Sequence, residues 1–124
     1  MIPKSFSDKA VRAAAILFLP VCAGVLGGEL GPSTGEPPFW DKAVHFTAYF
    51  ILSALAVTAL RFRKKALLAM LALIVLGAAL ELIQGMIGRD MSALDEIANT
   101  LGVIAGAAAV WVIRAALVRF RPTD

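Results

Sequence analysis

One cysteine, Cys22, and one histidine, His45, stand in a chain of 124 residues. A lone cysteine excludes an intramolecular disulfide, and within an apolar run it packs as a small hydrophobe. A lone histidine argues against a metal-assisted centre, so neither a metal nor an organic cofactor is expected. There is no internal repeat and no low-complexity tail. A cleavable signal peptide is not expected either. Lys4, Lys9 and Arg12 precede the first apolar run, as in a leader, but three further long apolar runs follow. The first run is therefore read as an uncleaved helix.

Apolar residues dominate. They make up 60% of the chain, and the mean hydropathy is +0.82. Soluble domains run at about 45–50% apolar even with glycine counted. A soluble fold of this size leaves roughly 40% of its unfolded surface in water. Lipid removes that difficulty, and the length fits a single domain over 1–124. The net charge of +3 does not point to nucleic acid, because the basic residues sit in short clusters between apolar runs. That is a membrane-topology pattern.

A spanning helix needs about 20 mainly apolar residues. Four segments qualify, at about 10–28, 42–60, 66–87 and 93–118. The expected fold is all-α, a transmembrane bundle of four helices. Ser7 is a candidate N-cap for the first helix, and Pro20 inside it is a candidate kink, which membrane helices tolerate. Gly31-Pro32-Ser33-Thr34-Gly35 and Pro37-Pro38 form a turn-rich first loop, and Arg61–Lys65 forms a basic hairpin. Gly85 to Asp90 forms the third connection, with Gly85 and Gly88 as helix breakers. Ser92 with Asp95 predicts a capping box for the fourth helix.

Ten of the twelve basic residues fall on one side of this arrangement, and only Lys42 and Arg89 on the other. By the positive-inside rule the ten are cytoplasmic, as are both termini. Phe39 and Trp40 then lie at the outer interface, and Gly102 with Gly106 forms a small-xxx-small pair suited to close helix approach.

The residues that break the apolar pattern carry the functional signal. Asp41 and His45 are four apart, Glu81 and Gln84 three apart, Asp95 and Asn99 four apart. Such spacings place each pair on one helix face. The basic residues alone set the topology, yet it brings His45, Glu81 and Asn99 within roughly 10 Å of the same outer surface, at 1.5 Å per residue. Arg89 and Asp90 lie in the adjoining loop. Burying a charged group such as Asp at mid-membrane costs about 2.5–3.5 kcal/mol on the lowest scales, and less near the interface. Glu81 should therefore face the bundle interior and take a partner, with His45, Arg89 and Asn99 as candidates. Bland roles exist for several of these residues. Asp41, Asp95 and Glu96 suit helix starts, and Gln84 and Asn99 suit interhelical hydrogen bonds.

The stretch Asp41-Lys42-Ala43-Val44-His45-Phe46-Thr47-Ala48-Tyr49 resembles the D-K-x-x-H-F-x-x-Y motif of the VanZ-like family. Glu81-Leu82-Ile83-Gln84 resembles its E-x-x-Q step, and Arg89, Asp95, Asn99 and Gly102 resemble its R, D, N and G positions. The resemblance covers about residues 39–106 and is marked by several spaced polar positions together. It implies a small multi-pass protein of the bacterial cytoplasmic (inner) membrane, from a family named for an association with teicoplanin resistance. It supplies no reaction.

Three readings of the polar group stay open. It binds a membrane lipid, or a lipid-linked or glycopeptide headgroup, through Asp41, Gln84, Arg89, Asp90, Asp95 and Asn99. Alternatively, His45 and Glu81 act as general base and acid on such a headgroup, in phosphoryl or acyl chemistry, with Arg89 holding an anionic group and Asp41 or Asp95 orienting His45. A metal-assisted version would use His45, Glu81 and Asp95. In the third reading the group docks another membrane protein. A transporter fits poorly, because no polar groups lie at the midplane.

Overall fold

The computed structural model describes residues 8–31, 38–61, 63–88 and 92–120. These form four helices and no strand: α1 (Asp8–Leu30), α2 (Pro38–Ala59), α3 (Lys64–Met86) and α4 (Ala93–Arg119). Each is long and apolar enough to cross a membrane. Large apolar side chains cover the outside, among them Ile16, Leu19, Leu68, Val75 and Trp111. That is the surface expected where lipid replaces water as the solvent.

The boundaries move slightly from the sequence reading. Helix α1 passes through Pro20 and does not stop at Gly28. It continues to Leu30, and the Gly31 N–H closes on the Gly27 carbonyl at 2.9 Å. Helix α2 opens earlier, on Pro38, where a missing backbone N–H costs nothing. Ser7 and most of the first loop lie outside the described residues.

The bundle is built around α2 and α4. Gly102 and Gly106 are both buried. A Cβ on Gly102 would collide with the Phe46 carbonyl, and one on Gly106 with the Phe50 carbonyl. The expected close approach is therefore made, with α2 as the neighbour. Ser53 on α2 reinforces it, donating to the Val103 carbonyl at 2.6 Å. Tyr49, Leu52, Ala56, Leu73 and Val103 form the central core, and Val57, Ala66 and Val110 a smaller one nearer the α2–α3 turn.

Helix α1 is the outlier, with only Ala14 and Glu29 buried. Polar ties hold both of its ends. Arg61 donates to Asp8 at 2.6 Å, and Gln84 donates to the Glu29 backbone carbonyl at 2.7 Å.

Candidate functional site

The up-down order of the helices brings the end of α1, the start of α2, the end of α3 and the start of α4 to one end of the bundle. His45 lies at the centre of that end and is buried. Its Nδ1 faces two acceptors, Asn99 Oδ1 at 3.0 Å and Glu29 Oε1 at 3.3 Å. Asn99 is fixed in this orientation because its Nδ2 donates to Glu96 Oε2 at 3.3 Å. Nδ1 therefore carries a proton. Nε2 faces Asp41 Oδ1 at 3.7 Å and Asp95 Oδ2 at 3.8 Å, both beyond hydrogen-bond length. The second oxygen of Asp95 accepts from Lys42 Nζ at 3.3 Å.

The structure thus gathers Asp41, His45, Asp95 and Asn99. The residues that orient the ring are Asn99 and Glu29, through Nδ1; neither Asp41 nor Asp95 lies within hydrogen-bonding reach of it.

Glu81 is buried but turned elsewhere. Its Oε2 accepts the Ser92 backbone N–H at 3.0 Å, and among the described residues no hydrogen bond or ion pair joins it to His45 or Asn99. This replaces the expected capping box. Ser92 holds the N-cap position of α4 without a side-chain cap bond. In a capping box the third helical residue, here Asp95, would reach back to the N-cap N–H. Glu81 of α3 does so instead, leaving Asp95 for Lys42 and His45. Gln84 is buried and points to the end of α1. Arg89 and Asp90 lie outside the described residues.

Sequence reasoning missed Glu29 altogether. It is buried, contacts His45, and accepts from the buried Tyr49 hydroxyl at 3.4 Å. The signal was present: an acid at the same end of its helix as the other polar groups. Glu96, read as a helix-start residue, is held by Asn99 and packs over Gly77, where a Cβ would lie 2.7 Å from Glu96 Oε2. Lys42, counted for topology and as part of the motif but given no role in the site, is the cation paired with Asp95.

Beside this cluster lies a partly open cavity of about 630 Å³ between α1 and α2. Glu29, Asp41, His45 and Gln84 line its polar end, and residues such as Val21 and Ile51 its apolar walls. From Trp40 to Ile51 it follows α2 for roughly 16 Å, at 1.5 Å per residue. Such a slot offers hydrogen-bonding groups at one end and hydrocarbon contact along the rest. The chain matches no protein-family model, no curated protein and no solved structure.

Proposed function

We propose that this chain is a bacterial inner-membrane protein that binds a lipid or lipid-linked headgroup at the outer leaflet, with the acyl chain in the slot between α1 and α2. The cavity carries this reading, because its polar and apolar parts follow the order of an amphiphile lying along a helix. The resemblance of Asp41–Tyr49, Glu81–Gln84 and Asp95–Gly102 to the VanZ-like family supports the same setting, and the ten-to-two division of basic residues supports the orientation.

The chemistry at the polar end narrows the headgroup. Glu29 and Asp41 place two carboxylates on that end, beside His45 and Gln84. Carboxylates accept hydrogen bonds, so the headgroup they suit is rich in donors such as amino and hydroxyl groups. Binding is favoured over acid–base catalysis by one observation. Glu81, the acid of the catalytic reading, is occupied by the Ser92 N–H and has no direct link to His45.

Gly24 provides the test. It lines the cavity, and a Cβ there meets nothing within 4 Å. Gly24→Phe should fill the slot without displacing backbone, and replacing a helical glycine also favours the helix. Native mass spectrometry of protein extracted from membranes should find lipid on the wild type and little on Gly24→Phe. Equal retention by both would overturn the reading. A change in mass of lipid incubated with the wild type would replace binding with catalysis.

A further inference from the structure

We infer that Asp41, His45 and Asp95 form a binding site for one divalent transition-metal ion, with His45 Nε2, an Asp41 oxygen and Asp95 Oδ2 as ligands. The site shares Asp41 and His45 with the polar end of the cavity, but needs no lipid to form.

The ring nitrogen is the starting point. His45 is 7% exposed, and its Nδ1–H is committed to Asn99 Oδ1 and Glu29 Oε1. With Nδ1 so committed, the lone pair of the neutral ring, the form that binds a metal, lies on Nε2. That lone pair is directed at two carboxylates, with oxygens at 3.7 and 3.8 Å. Neither oxygen reaches hydrogen-bond length, so this nearly buried nitrogen faces anions without a bond to either. A positive charge between the three groups, a proton on Nε2 or a metal ion in its place, removes the conflict.

The geometry fits such an ion. The three donor atoms all lie within 4.8 Å of one another. A metal with bonds of about 2.0–2.2 Å separates neighbouring ligand atoms by roughly 3–4 Å, so small side-chain movements close the site. One imidazole and two carboxylates suit zinc, manganese, iron or cobalt. The surroundings match a metal-bound histidine, whose second ring N–H goes to a carboxylate or carbonyl oxygen. Here Glu29 and Asn99 supply both kinds. Lys42 holds Asp95 by Oδ1 and leaves Oδ2 turned toward His45. The sequence alone led to no metal being expected, and the metal-assisted variant it allowed used Glu81 where the geometry offers Asp41. Three protein ligands leave coordination positions open toward the cavity that Asp41 and His45 line.

The test uses full-length protein in detergent, stripped with a chelator and titrated with Co²⁺ and Zn²⁺. Co²⁺ should give visible d–d absorption that saturates at one ion per chain and is displaced by Zn²⁺. Zn²⁺ should also raise the thermal midpoint of the wild type, a readout that requires no variant to fold. His45→Ala and Asp95→Asn should each weaken binding at least 100-fold, and Asn99→Ala by about 10- to 100-fold. Gly24→Phe, which blocks the slot but alters none of the three ligands, should bind Co²⁺ as the wild type does. Loss of lipid with retained metal would sink neither proposal, and retained lipid without metal would sink only this one. Absence of saturable Co²⁺ absorption, or unchanged affinity in folded Asp95→Asn, overturns the site.

Discussion

Glu81 of α3 accepts the backbone N–H of Ser92, eleven residues later, at 3.0 Å. One helix thereby caps the next, and a carboxylate at the membrane boundary obtains a donor. Glu81→Ala should leave that N–H without its partner and lower stability by about 1–2 kcal/mol, the scale of a lost cap. Glu81→Gln keeps an acceptor oxygen and should lose less than half as much. Thermal unfolding in detergent measures the difference, and hydrogen exchange should rise first at residues 92–96.

The α2–α4 contact predicts a different failure. Gly102→Ala and Gly106→Ala each place a methyl group against an α2 carbonyl. Backbone is less forgiving than a flexible side chain, so each should cost about 1–3 kcal/mol. The two positions face the same helix one turn apart, so the double variant should cost less than the sum, because the first displacement already separates the helices. Unfolding midpoints of the four proteins give the coupling.

Gln84 ties the end of α1 to α3 through the Glu29 carbonyl. Gln84→Leu preserves bulk but removes the donor. It should destabilise by about 1–2 kcal/mol, the range for orphaning a buried acceptor. The loss should be local: hydrogen exchange should increase at residues 27–31, while the α2–α4 core stays protected.

Orientation has its own test. In a Cys22→Ser background, Ser33→Cys and Thr123→Cys place single thiols in the first connection and at the C-terminus. A membrane-impermeant maleimide applied to spheroplasts should label the first and spare the second. The reverse pattern would place the polar cluster on the cytoplasmic side.

The four helices were legible because a spanning segment announces itself by length and apolarity, whatever it packs against. The grouping of Asp41, His45, Asp95 and Asn99 was legible for a second reason. Helical spacing gives each pair a face, and alternating helix direction brings those faces to one end. What failed was local inference. The first apolar segment was ended at Gly28, so Glu29 was passed over, although the helix runs on and buries it. Ser92 and Asp95 had the spacing of a capping box, but the spacing cannot show that Glu81 will supply the carboxylate from another helix. Lys42 was read as a topological charge because nothing in sequence pairs it with a residue 53 positions away.

The separation of His45 from Asn99 has a consequence in time. The two residues bonded at 3.0 Å are 54 positions apart in the chain. At a synthesis rate of about 5–20 residues per second, His45 leaves the ribosome roughly 3–10 s before Asn99 does. For that interval the imidazole has no Asn99 to accept its proton, and α4 does not yet exist to close the bundle. Asp41 and Lys42 emerge beside it, and Glu29 precedes it, so the early chain carries its own provisional company of charges. The nascent protein must hold this group near the aqueous boundary until its last helix arrives.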